Sequence, residues 1–181
     1  MQQAPPIVIV KIILEVVAAT STVVAPLVGG VLDYQPGRAS QIKAELEKIS
    51  DAIAQATRAG RYPLIALFQD IPEQMGSGYD VVVTIPKISI AMLTVQTDPV
   101  LKRYESTFPK LYIIYKEFLR QLTRHKNIVA GDPGAILHTK MDRPGDKPEL
   151  TGFNDYLDAI ELSNLQLTFR QVNKCKSLTK S

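Results

Sequence analysis

The sequence predicts an α+β domain: a mostly antiparallel sheet flanked by helices, with a long Gly/Pro-rich loop at about 127–157. Three observations carry this reading. Apolar residues recur at helical spacing over about 41–58 and again over 104–122. Runs at 62–68, 81–95 and 158–170 are rich in Val, Ile, Leu and Phe; the first is nearly continuous and the other two largely alternate. The strands follow one another across loops instead of alternating strictly with helices, which favours an antiparallel sheet over a doubly wound one. At 181 residues the chain is long enough for one domain with an appended arm. The expected division is an apolar N-terminal helix or arm at 1–32, an α+β domain at 33–173, and a basic flexible tail at 174–181.

The first element is the most hydrophobic. Residues 7–32 open with Ile-Val-Ile-Val, and Val16–Leu32 is an uncharged run of 17 residues. That is the lower edge of membrane-spanning length. Thr20, Ser21, Thr22, Pro26, Gly29 and Gly30 weaken a span, and no positive charge precedes the run as in a signal peptide. The expectation is a buried helix at about 6–20, an extended Val-rich piece, and Lys11 paired with Glu15 on one helix face. Packing of this segment on a neighbouring subunit is the other option.

Asp33-Tyr34-Gln35-Pro36-Gly37 has turn chemistry. Ser40 then reads as an N-cap for a helix whose stripe is Ile42, Leu46, Ile49, Ile53 and Ala56, closed by Gly60. The apolar run Tyr62–Phe68 lies between Pro63 and Pro72 and is too short for a helix, so it reads as a buried strand. Residues 72–78 read as a loop. In the long strand that follows, Val81, Val83 and Ile85 alternate, and then Ile88, Ile90 and Met92 resume one residue out of phase at Pro86. An extra residue in one strand would do this. Thr97-Asp98-Pro99 starts the longest amphipathic helix, and Pro109 should break it near 106–108. Its Tyr and Phe stripe reads as core. Residues 131–152 hold four Gly and three Pro, which gives the long loop. The last strand, 158–170, slips phase at Ser163-Asn164.

Few residues suit chemistry. One cysteine, Cys175, excludes a disulfide framework within the chain, and there are only two histidines, His125 and His138. A net charge of +3 is too balanced to mark a nucleic-acid binder. Gly76-Ser77-Gly78 lacks the Lys and helix start of a phosphate loop. His138 near Asp142 has no evident nucleophile beside it. Asp155, Asp158 and Glu161 form an acidic group expected to cap a loop and face solvent, although paired carboxylates can also take a cation. Lys140, Arg143 and Lys147 alternate with Asp142, Asp146 and Glu149, a mixture that suits protein contacts better than a phosphate track. No catalytic, metal or cofactor residues are assigned.

Several segments in order resemble the tail-terminator (tail-completion) proteins of tailed bacteriophages and prophages of Bacteroidetes-type hosts. They are Asp33–Gly37 with the helix after it, Arg61–Asp70, Ile90–Thr94, Arg103–Tyr112, His138–Pro144 and Phe153–Leu162, which together span about 30–170. Each is a short structural string, and it is their order that carries the resemblance. The Val-rich 23–30 segment and Gly145-Asp146-Lys147-Pro148 depart from the family pattern. The resemblance implies a virion structural protein of the tail and neck, assembled in the host cytoplasm, and no enzyme. It implies a homo-oligomer, commonly a six-subunit ring, that caps the tail tube, stops its polymerisation and joins a neck or head-completion protein. Genome DNA would pass through the lumen without sequence-specific binding, and no membrane is involved. The long loop would make intersubunit or tube contacts through His138, Lys140, Asp142, Arg143, Asp155 and Tyr156. Competing readings are a head-completion or neck connector protein, the cap of a phage-like contractile injection system, a small enzyme using the 138–158 His/Asp/Tyr group, and a protein anchored in a membrane by 7–32.

Overall fold

The computed structural model describes residues 6–42, 62–75, 80–94, 98–129, 136–144 and 157–170. The order is α1 (Pro6–Val28), β1 (Asp33–Gly37), β2 (Leu64–Phe68), β3 (Glu73–Met75), β4 (Asp80–Leu93), α2 (Val100–Ser106), α3 (Phe108–Arg124), β5 (Thr139–Arg143) and β6 (Leu157–Arg170). The sheet runs β1-β2-β4-β6-β5, with β3 also pairing β4. Only β1 and β2 are parallel; every other pair is antiparallel. The chain is therefore α+β with a mostly antiparallel mixed sheet.

Helix α1 extends eight residues past the expected end at 20, to Val28. Its hydroxyls do not interrupt it, because Thr20 and Thr22 donate back to the carbonyls of Val16 and Ala18 at 2.7 and 3.0 Å. Gly29 ends the helix with a left-handed φ of 82°. Gly30 is needed for a close approach: a Cβ there would lie 3.2 Å from Pro63 Cδ and 3.3 Å from the Tyr62 carbonyl. The expected turn at 33–37 is a strand instead. Pro36 is tolerated because β1 lies at the sheet edge.

The next helix begins two residues before the position that Ser40 as N-cap predicts. Ala39 to Ile42 are helical, and Arg38 is the N-cap: its carbonyl accepts from Gln41 and Ile42, and its own N–H donates to Gln41 Oε1 at 2.9 Å. The remainder of that predicted helix lies outside the described residues, as does the 174–181 tail.

One face of the sheet carries α1 and α3. Ile13, Val16 and Val24 of α1 and Phe108, Leu111, Ile114 and Phe118 of α3 join Ile65, Ile85, Ile88, Ile90, Ile160 and Leu165 in one buried cluster. Each such side chain contributes ~1.5–3 kcal/mol by leaving water. The partner of the N-terminal segment is thus in its own chain, and α1 is part of the domain core. On the other face, Leu64, Ala66, Phe68, Ala91 and Ala159 pack with Ile42. Pro109 acts as expected: α2 stops at Ser106, Thr107 N–H donates to the Arg103 carbonyl, and α3 restarts at Phe108.

The phase slips at Pro86 and Asn164 are one feature. Ile85 pairs with Leu165 and Lys87 with Ser163, so Pro86 and Asn164 share a rung and the register is the same on either side. Neither strand has gained a residue on the other. Asn164 instead turns at φ 55°, and both strands change face together. The extra residue lies in the neighbouring column: five residues lie between Leu67 and Glu73, but only four between their partners Ile88 and Val83. Asp70, at φ 80°, sits in that bulge. The expected 72–78 loop contains β3. The described part of the 127–157 stretch also holds structure, since Ile128 bridges to Phe169 and β5 pairs with β6; the rest lies outside the described residues.

Candidate functional site

The residues singled out at 138–143 do not form one group. In β5, alternate side chains point to opposite faces. Lys140 and Asp142 pair with Leu162 and Ile160 and lie on the helix side; Met141 and Arg143 lie on the other.

On the helix side, β5 meets two tyrosines of α3. Tyr112 donates its hydroxyl hydrogen to Asp142 Oδ2 at 2.6 Å. Lys140 Nζ donates to Asp142 Oδ1 and, at 3.2 Å, to the Tyr112 hydroxyl oxygen. The ammonium also lies 4.5 Å from the Tyr112 ring centroid. Burial works against the Lys140 charge, but the hydrogen bonds to Asp142 and Tyr112 outweigh it and raise its pKa. His138 Nδ1 is 2.8 Å from the Ile136 carbonyl, which only accepts, so that nitrogen carries the hydrogen. In the neutral ring Nε2 then accepts from Tyr115 Oη at 2.8 Å. Burial raises the Tyr115 pKa, partly offset by the Lys140 charge. The cluster clips β5 and its entry to α3, and its polar atoms are engaged with one another. The helical spacing of the sequence predicts Tyr112 and Tyr115 as core. The signal available was Tyr rather than Phe at i and i+3 on a buried stripe, since a half-buried hydroxyl requires a partner.

On the opposite face, Glu161 is held between two cations: Lys87 Nζ at 2.7 Å and Arg143 Nε at 3.1 Å. Asp158 is fully buried and its charge is met by Arg103 Nη1 of α2 at 3.7 Å. The expectation that this acidic group faces solvent is therefore wrong for Asp158 and Glu161. They sit in β6 on opposite faces, each against its own cation, and the sheet buries both. Asp155 and Tyr156 lie outside the described residues. Among the described residues no three metal-ligating side chains converge.

The expected Lys11–Glu15 pair is replaced by a longer contact. Glu15 Oε2 lies 3.1 Å from His125 Nε2 at the end of α3, and this hydrogen bond lowers the Glu15 pKa. Two open grooves, of ≈ 500 and ≈ 1120 Å³, run along α1 and β1 and share Leu14 and Tyr34. Neither is lined by the Tyr112–His138 cluster. Leu14, Val23 and Leu27 of α1 are exposed, as is Val31 beyond it, and Leu14 and Val31 line the smaller groove together. Ile9–Val28 has the length and apolarity of a membrane span, with its inner face buried against the core. A second exposed apolar group, Val100, Leu101 and Tyr104, lies on α2.

No family model, curated protein or solved structure matches this chain.

Proposed function

We propose that the protein is a structural part of a phage or prophage tail: a ring-forming terminator that caps the tail tube and presents a surface to the neck. The observation that supports it is the pair of exposed apolar groups on separate elements, Leu14 and Val31 in one groove beside α1 and Val100/Leu101/Tyr104 on α2. Contiguous apolar surface marks a contact site. When one such patch meets a different patch on the next copy, the contact is head-to-tail, and it closes into a ring if the rotation allows. The order of the segments from Asp33 to Leu162 supplies the tail-terminator reading of that ring. Capping requires only geometry: one face of the ring fits the tube end and the other does not repeat it.

Deleting 130–148 is not a clean test of the ring, because it removes β5 and its clip to α3. The test is electron microscopy of the full chain, alone and with tail-tube protein. Uniform rings seated on tube ends are expected. Single particles, with tubes growing to unrestricted length, would refute the proposal. Rings that bind the portal-side adaptor and ignore the tube would point to a neck connector. Recovery of the protein in the lipid fraction would point to the membrane reading of α1.

A further inference from the structure

The two outer strands of the sheet differ in how they treat their free edges. In β1 the Asp33 N–H donates inward, to the Pro63 carbonyl at 2.9 Å. Successive N–H groups point to alternate sides, so the outward positions are Tyr34 and Pro36. The Tyr34 N–H is bound by Asp33 Oδ1 at 2.9 Å, and Pro36 has no N–H. The β1 edge therefore offers no donor over these residues and is protected against pairing.

Among the described residues the β5 edge has no such protection. Thr139–Arg143 contains no proline, and among the described residues no strand pairs with its outer side. Lysine on an edge strand ordinarily blocks pairing. Here Lys140 is held against Asp142 and Tyr112, so its charge is already met. Met141 and Leu137 leave apolar surface exposed on and beside the strand.

The sequence of β5 is also complementary to itself. When two copies pair antiparallel with Met141 on the axis, Lys140 faces Asp142 of the other copy, and Asp142 faces its Lys140. On the helix side this makes an alternating square of four charges. On the opposite side Met141 meets Met141, and Thr139 meets Arg143. Opposite charges directly across a strand pair are favourable, and like charges are not. We propose that β5 is a two-fold docking edge at which a second copy of this chain pairs antiparallel, centred on Met141. The contact does not rest on the ring reading, and it leaves the apolar surfaces of α1 and α2 free for other contacts.

The test uses the full chain with Cys175→Ser as background. Light scattering across a concentration series should show reversible dimerisation. Met141→Cys should cross-link under mild oxidation, since residues directly opposite lie close enough for a disulfide. Thr139→Cys should not, because its opposite number is Arg143. Met141→Lys puts two like charges across the axis and should weaken dimerisation about fivefold, with the thermal melt unchanged because Met141 is exposed. A background protein that stays monomeric, equal cross-linking at 139 and 141, or unaltered dimerisation in Met141→Lys would each overturn the proposal. Rings that persist in Met141→Lys without a Met141 cross-link overturn this contact and leave the ring reading standing. A cross-linked dimer that never forms rings does the reverse.

Discussion

Replacing Arg103 with Leu should destabilise the fold through Asp158. The Arg103 and Asp158 side chains are 7% and 0% exposed, and Nη1 and Oδ1 are 3.7 Å apart. At that separation and an effective dielectric near 20, the Coulomb attraction is about 4.5 kcal/mol. Neither Asp158 oxygen has a hydrogen-bond partner among the described residues, so the guanidinium is what offsets the buried charge. Removing one member of a buried pair typically costs ~3–5 kcal/mol, and the two figures agree. For a chain of this size, about 4 kcal/mol corresponds to a fall in Tm of roughly 8–16 °C. Arg103 Nε also donates to the Asp98 carbonyl at 2.9 Å, a bond worth ~1 kcal/mol. A double-mutant cycle with Asp158→Leu isolates the contribution of the pair from the other contacts of Arg103. Urea unfolding of the four proteins should give a coupling of ~3–4 kcal/mol. A coupling under ~1 kcal/mol, the range of surface ion pairs, would refute the view that the pair fastens α2 to β6.

Three further outcomes follow from the same contacts. Glu161→Gln leaves Lys87 and Arg143 without their carboxylate and should lower the urea midpoint by the equivalent of ~2 kcal/mol at unchanged slope; the figure is below that for Asp158 because Lys87 keeps some contact with water. The folded pKa of Lys140 is raised, so its contribution is complete below the unfolded value of ~10.4 and lost as pH rises through the folded one. Tyr115 adds a slope of the same sign, so stability against pH should be compared between native protein and Lys140→Met, which ought to fall less steeply above that pH. Asn164 sits at φ 55°, so Asn164→Gly should stay within ~0.5 kcal/mol of native by urea unfolding, whereas Asn164→Val should cost ~1–2 kcal/mol.

What the sequence disclosed depended on how local the cause was. The break before α3 follows from Pro109 alone, and it stands where expected. The strands at 80–93 and 157–170 are legible because alternation needs only neighbours, and 64–68 because a short apolar run between prolines leaves no room for a helix. Strand β1 is not, because Pro36-Gly37 reads as a turn and only the parallel pairing with β2 makes it a strand. Strand β5 was hidden for a similar reason: Thr139–Arg143 has little strand character of its own and is held by β6 and by Tyr112. Of the six residues singled out as an interface, three converge on α3, Arg143 turns to the opposite face, and two are outside the described residues. Once 139–143 is a strand, its period of two separates Arg143 from Lys140 and Asp142.

The paired slips show how non-local information can still be written in one sequence. A strand that changes face at a single residue exposes its hydrophobic set on one side of that point unless its neighbour changes face on the same rung. Pro86 and Asn164 stand opposite one another, so Val83 and Ile85 stay with Leu167 and Leu165, and Ile88 and Ile90 stay with Leu162 and Ile160. A bulge in one strand would have put one of these sets into water, so the antiparallel register follows from the two slips taken together. With β4 and β6 fixed in this way, the sheet can extend only through its outer strands. Strand β1 closes its edge with Asp33 and Pro36, while β5 has no strand on its outer side among the described residues and carries a charge pattern that matches itself. The direction in which this sheet can grow is therefore set by residues that contribute little to its core.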